Sequence, residues 1–204
     1  KIYTLLEKTK YKFEIIFVDD CSKDKTREVI LSLTREYPNT RYLFHETNVG
    51  RGGTFLDGVK ISGGKYVGFL DIDLEVSCSY LLNVIIELEN QYDVVTVRRH
   101  YALGFSFVFI LRHILSIGYK MFINKYLGIP KMDTETGFKF FRRDCILNLA
   151  DRIENKKWFF DTEVMVLAYT TNCKIKEVDG LFMRNVDKVS TVKLFSDTID
   201  YFIE

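Results

Sequence analysis

Short apolar runs alternate with helix-period segments through the first half of this chain, and that alternation limits the fold more than any other feature. FEIIFVDD (13–20), TRYLFHE (40–46), KYVGFLDID (65–73) and YDVVTVRR (92–99) are brief and rich in β-branched and aromatic residues, as strands are. SKDKTREVILSLTREY (22–37) has a Ser/Asp start and then Val29, Ile30 and Leu33 at helical spacing, and SYLLNVIIELEN (79–90) reads as a second such helix. NVGRGGTFLDGVKISGG (48–64) reads as a glycine-rich turn, a short helix and a Gly-Gly stop, and residues 1–9 also read as helical. The pattern predicts a three-layer α/β domain whose mostly parallel sheet is covered on both faces. In such sheets ligands bind beyond the carboxyl ends of the strands. Asp19, Asp20, Asp71, Asp73 and Arg99 all fall at such ends.

The third strand-like run ends in DIDLE, with Asp71, Asp73 and Glu75 at every second position. In an extended segment these side chains point the same way, about 7 Å apart. Three like charges so placed repel one another and call for compensation. A solvated turn, an acidic helix start, or a divalent cation that also holds phosphate oxygens would each supply it.

The pattern changes from Ala102 to Leu127, which is heavily apolar. Its longest uncharged stretch, Ala102 to Leu111, is 10 residues, short of the roughly 20 that span a bilayer. Arg112, Ser116 and Lys120 recur at i, i+4, i+8 and form one ridge if the segment is helical. A helix apolar around the rest of its surface is either buried or laid on a membrane. Arg112 could be a snorkelling surface arginine, but the ridge favours anion binding. Beyond it, IPKMDTETGFKFFRRD (129–144) is polar and then strand-like, and KKWFFDTEVMVLAYTTN (156–172) is a turn entering a helix. KIKEVDGLFMRN (174–185) reads as a strand and STVKLFSDTIDYFIE (190–204) as a closing helix.

At 204 residues and 47% hydrophobic content the chain fits one domain with a full core. Basic and acidic residues balance, 29 against 28, which argues against general nucleic-acid binding. Cys21, Cys78, Cys145 and Cys173 form no CxxC pair, which argues against structural zinc and for reduced thiols. No signal peptide is recognisable. The opening KIYTLLEKTK reads as the middle of a helix, so further chain is expected upstream.

Five blocks occur in one order: EIIFVDDCSKDKT, NVGRGGTFLDGVKISGGKYVGFLDIDLE, VVTVRRHY, DTETGFKFFRRD and WFFDTEVMVLA. Together they resemble the family 2 glycosyltransferases of the GT-A fold, and within these the polyprenyl-phosphate glycosyltransferases of the dolichyl-phosphate mannose synthase type. The resemblance runs from about Phe13 to the closing helix. It implies a single GT-A domain over residues 1–204, with a nucleotide-sugar part (1–99) and an acceptor part (100–204). A P-x-[YF]-N-E first strand of that family precedes residue 1 and is missing here. The implied reaction moves a hexose from a GDP- or UDP-sugar to a dolichyl or undecaprenyl phosphate, with inversion, at the cytoplasmic face of a membrane.

Residue by residue, the resemblance assigns Asp19 and Asp20 to the nucleotide, with Ser22 and Asp24 left to cap the following helix. Arg51 falls to the pyrophosphate, and Asp71, Asp73 and Glu75 to a Mg²⁺ or Mn²⁺ ion, Glu75 standing where many relatives have Gln. It assigns Arg99, Arg112 and Ser116, with the neighbouring Lys120, to the acceptor phosphate. Asp133 and Glu135 border the sugar, and Asp161 and Glu163 order the acceptor loop or simply favour a helix N-terminus. Asp73, Asp71, Arg99 and Arg112 are thus the expected catalytic set. Two other functions stay open. A family 2 enzyme acting on a sugar hydroxyl would need a carboxylate base, Glu135 or Asp133. A non-catalytic nucleotide-sugar-binding domain docked on a membrane would need none.

Overall fold

The computed structural model describes residues 1–101, 118, 121, 124–126 and 128–183. Arg112, Ser116, Lys120, most of the apolar 102–127 segment and the expected closing helix at 190–204 lie outside the described residues.

In chain order the elements are α1 (Ile2–Glu7), β1 (Ile15–Asp19), α2 (Thr26–Glu36), β2 (Thr40–Phe44), α3 (Gly50–Ile61), β3 (Tyr66–Leu70) and α4 (Leu81–Glu89). There follow β4 (Val94–Tyr101), β5 (Phe138–Arg142), α5 (Arg143–Ala150), α6 (Phe160–Thr170) and β6 (Ile175–Phe182). Parallel neighbours need a crossover, and α2 supplies it between β1 and β2, which pair from Ile15 with Thr40 to Asp19 with Phe44. A second sheet has the order β3-β5-β4-β6. β5 runs antiparallel to both β3 and β4, whereas β4 and β6 are parallel from Val94 with Ile175 to Tyr101 with Phe182. β3 and β4 therefore point the same way, with the reversed strand between them.

Burial explains the central position of β4. Val94, Thr96 and Val97 expose nothing, and neither does Val95. Such a run suits a strand covered on both faces. On one face Val94, Phe141, Leu56, Val59, Ile146, Phe160, Val164 and Met165 pack together, joining the sheet to α3, α5 and α6. On the other, Val95, Val97 and Phe138 pack with Leu6, Leu81, Val84 and Leu88 of α1 and α4. These two cores on either side of the sheet make the three layers expected from the alternation. Of the apolar residues that marked α2, Ile30 is buried but Val29 is half exposed.

The start of α3 is held by close approach to the chain before α6. Gly50 has φ 83°, and a Cβ there would sit 2.4 Å from the Lys156 carbonyl oxygen. The Gly52 N–H donates to that same oxygen at 2.8 Å. The glycine-rich turn is thereby fixed beside the carboxyl end of β1.

Candidate active site

The acidic run does not continue β3. The strand stops at Leu70, and the Leu74 N–H donates to the Asp71 carbonyl at 3.1 Å with Leu74 at φ 53°. The chain turns, leaving Ile72 exposed, so strand alternation is not what gathers the carboxylates. Tertiary contacts do that. The Asp71 N–H donates to the Gly137 carbonyl at 2.9 Å, and the Met183 N–H donates to the Glu75 carbonyl at 2.8 Å. Val76 forms a single bridge with Phe182. The result is a small cleft of about 30 Å³ lined by Asp71, Asp73, Glu75, Val76, Arg99, Gly137, Phe138 and Phe182. Four stretches far apart in sequence thus meet where β3, β4 and β6 end and β5 begins.

Gly137 is required at this junction. A Cβ there would lie 1.7 Å from one Asp71 carboxylate oxygen and 2.1 Å from its Cγ. Hydrogen as a side chain is what lets the carboxylate occupy its place.

Arg51, at the start of α3, connects this carboxylate to the interior. Its terminal nitrogen meets Asp71 Oδ1 at 2.8 Å and its Nε donates to Asp161 Oδ2 at 2.7 Å. Its guanidinium lies over the Phe69 ring, 5.1 Å from the centroid. Burial opposes charge on Arg51, but Asp161 and Asp71 outweigh it and hold the guanidinium more firmly protonated than usual. The other Asp161 oxygen accepts from Lys139 Nζ at 2.8 Å. Lys139 is completely buried on β5 and also donates to the Thr136 carbonyl. Burial pulls its pKa below the ordinary lysine value, and Asp161 resists that shift.

Arg99 forms the opposite wall. Its Nε and terminal nitrogen donate to the two Asp133 oxygens at 2.8 and 2.7 Å, and its backbone N–H donates to Asp133 at 3.0 Å. Glu135 accepts from the same terminal nitrogen at 3.4 Å. Burial works against this charge too, yet the Asp133 hydrogen bonds and charge raise the Arg99 pKa. Asp133 is fully buried with both oxygens committed to Arg99.

At the end of β1, Asp19 Oδ2 accepts from Ser22 N–H at 3.2 Å and Arg27 Nε at 3.1 Å. Asp20 accepts from the Val49 and Gly50 N–H groups at 2.8 and 2.9 Å and meets His45 Nδ1 at 3.0 Å. Burial pushes both carboxyls up, but these hydrogen bonds win and hold both below the usual range. The two aspartates thus brace the loops that follow β1 and β2 against each other. Asp24 accepts from the Thr26 N–H at 2.9 Å in the turn before α2, but the N-cap position is Lys25 and no side chain caps the helix, so neither Asp24 nor Ser22, which serves Asp19, is the expected cap. Glu163 accepts from the Glu154 and Asn155 N–H groups, both at 2.9 Å, and so orders the loop before α6.

The structure adds Lys139, which sequence reasoning missed. A larger cavity of about 560 Å³ lies at the other end of the sheet, between Asp93, Arg142, Asp144, Cys145, Arg152 and Cys173. It lies at the amino ends of β4 and β6, away from the carboxyl ends where α/β sheets bind ligands. Cys145 and Cys173 line it as free thiols, with sulfurs 3.3 Å apart.

Asp71, Asp73 and Glu75 offer hard oxygen donors, the chemistry of Mg²⁺ or Mn²⁺ rather than of softer metals. Among the described residues no group of three or more His, Cys, Asp or Glu side chains is arranged to hold a metal by itself.

Residues 2–149 match the family model described as glycosyl transferase family 2. Among curated proteins, a dolichyl-phosphate beta-glucosyltransferase of Dictyostelium discoideum is 30% identical over 83% of this chain and 54% of its own length. The Saccharomyces cerevisiae protein of the same name is 29% identical over 85% of this chain and 58% of its own length. The chain therefore spans little more than half of the curated relatives it matches. Among solved structures, Mycobacterium tuberculosis glucosyl-3-phosphoglycerate synthase in complex with UDP superposes with a TM-score of 0.68 at 14% identity, over 92% of this chain and 65% of that one. S. aureus TarS in complex with UDP gives 0.55 at 17% identity, over 89% and 53%. These likenesses confirm the GT-A fold.

Proposed function

The chain belongs to glycosyl transferase family 2, and on that premise we propose that it transfers a hexose, with inversion, from a nucleoside diphosphate sugar to a polyprenyl phosphate. The observation that carries this reading is the convergence of Asp71, Asp73, Glu75, Arg99 and Gly137 on one cleft at the carboxyl ends of β3 and β4. The names of the relatives favour glucose and dolichyl phosphate, and the UDP complexes of the structural neighbours favour UDP over GDP.

In this reading Asp71 and Asp73 face the donor diphosphate, with Glu75 beside them. A divalent cation, Mg²⁺ or Mn²⁺, would neutralise diphosphate charge as the glycosidic bond breaks. Arg51, anchored by Asp161, holds Asp71 in place and lies within reach of the same diphosphate. Asp19 and Asp20 shape the loops against which the nucleoside rests.

The acceptor side needs positioning more than basicity, because a phosphate monoester with a second pKa near 6 is already largely ionised at pH 7. Arg99 is neutralised by Asp133 and faced by Glu135. One guanidinium so balanced attracts an anion weakly, so phosphate capture depends on Arg112, Ser116 and Lys120 joining it. The pairing of buried Asp133 with Arg99 supports a positioning role for it and leaves Glu135 the more accessible carboxylate for the alternative transfer to a hydroxyl. In this reading the lipid acceptor brings the reaction to a membrane surface, which we take to be the cytoplasmic face, with the enzyme peripheral to it.

Thermal unfolding with UDP, GDP and their hexose conjugates, each with and without Mn²⁺, tests the donor side. A metal-dependent rise with UDP-glucose supports the reading, and no shift with any nucleotide overturns it.

A further inference from the structure

Arg99 and Arg51 meet their buried aspartates differently, and the difference has a visible cause. Arg99 binds Asp133 as a fork, with Nε on one oxygen and the terminal nitrogen on the other, at 2.8 and 2.7 Å. Arg51 could bind Asp161 in the same way, since a guanidinium and a carboxylate favour two parallel bonds. It does not. Its Nε takes Asp161 Oδ2, and its terminal nitrogen leaves to meet Asp71 Oδ1 at 2.8 Å. The second Asp161 oxygen is occupied by the Lys139 ammonium at 2.8 Å.

From this contrast we infer that Lys139 is a positioning residue for the donor site: by filling one oxygen of Asp161, it diverts the Arg51 terminal nitrogen onto Asp71 and fixes that carboxylate for the metal-diphosphate. The position of Lys139 is set by the sheet. It pairs with Phe69 of β3 and Thr96 of β4, so its strand is held on both sides. Its ammonium and the Arg51 guanidinium share the Phe69 ring, at 5.5 and 5.1 Å from the centroid. The four charges, two positive and two negative, cancel. Removing the ammonium leaves Asp161 with a vacant buried oxygen, which the Arg51 terminal nitrogen now on Asp71 can fill, since the Nε of the same guanidinium is already on the other Asp161 oxygen. Arg51 would then close the fork seen at Arg99, and Asp71 would lose its anchor.

This inference rests on the donor assignment proposed above, and its test separates the two. Mn²⁺ affinity in the presence of UDP, read by electron paramagnetic resonance, is compared for the wild type, K139M, R51M and the double variant, alongside thermal unfolding. Loss of a partner that acts through a ligand costs about tenfold or more in metal affinity. K139M is expected to weaken Mn²⁺·UDP about tenfold, and to add no further loss in the R51M background. K139M within twofold of the wild type, even with a lowered melting temperature, would reduce Lys139 to a structural ion pair and overturn the inference. A further tenfold loss in the R51M background would show that it does not act through Arg51, and would overturn it equally. If K139M fails to fold, K139L, which likewise offers Asp161 no donor, is held to the same outcomes. A wild type that binds Mn²⁺ with neither UDP nor GDP defeats the donor assignment and this inference together, whereas a binding wild type with an indifferent K139M defeats this inference alone.

Discussion

Replacing Gly137 with alanine separates the fold from the chemistry. The new methyl would stand 1.7 Å from Asp71 Oδ2, and real Cβ atoms essentially never come within 3.0 Å of another heavy atom, so the carboxylate must retreat by roughly 1.3 Å. Gly137 is not in the left-handed region, so alanine suits its backbone. The retreat breaks the ion pair with Arg51. Asp71 is 45% exposed, so that loss is discounted for solvent to about 0.5–1 kcal/mol. The smaller conformational freedom of alanine in the unfolded chain returns about 0.4–1 kcal/mol. Net stability should hold within about 1 kcal/mol, or about 2–4 °C in melting temperature for a chain of this size. Function should fare far worse, because a misplacement on the order of 1 Å can cost about 100-fold in rate. Thermal unfolding and kcat/KM measured on one preparation read both effects. Turnover within threefold of the wild type would refute the claim that the position of Asp71 matters.

Asp73→Ala should abolish metal-dependent turnover while the protein stays folded, since removing one of several like charges relieves repulsion; circular dichroism and activity on the same sample check this. Arg112→Ala should weaken use of polyprenyl phosphate by about 2–3 kcal/mol in kcat/KM and leave UDP affinity by calorimetry unchanged, with Arg112→Lys recovering only part. Asp19 and Asp20 have carboxyls held below the usual range, so their contribution to stability is complete above about pH 4 and is lost as pH falls from there. Asp20→Asn should therefore flatten the acid limb of a plot of melting temperature against pH, and an unchanged limb would show that the brace at the start of α3 contributes nothing.

Most of the sheet was legible because its strands carry strong local signals. The runs at 13–20, 40–46, 65–73 and 92–99 became β1 to β4 with ends shifted by only a few residues. The reversal of β5 was not legible, since an apolar run carries no mark of direction. α5 (Arg143–Ala150) was missed because it follows β5 with no intervening residue to signal a start. The acidic positions were found, but for an incomplete reason. Alternation assumed an extended segment, and the turn at Leu74 depends on a positive φ in a residue that rarely adopts one. Lys139 was hidden by the same logic. In FKFF the period of two puts a lysine on a solvent face, yet β5 lies between β3 and β4 with both faces covered, and the ammonium finds Asp161 inside. Only the tertiary fold could reveal that pair.

Transfer of labelled glucose from UDP-glucose to dolichyl phosphate, followed with Mn²⁺ and again in EDTA, tests the central claim most directly. The account predicts a lipid-soluble labelled product that needs both the metal and the lipid phosphate, and that disappears with Asp73→Ala. Labelled product formed equally well in EDTA, or on a sugar hydroxyl with no lipid phosphate present, would contradict it.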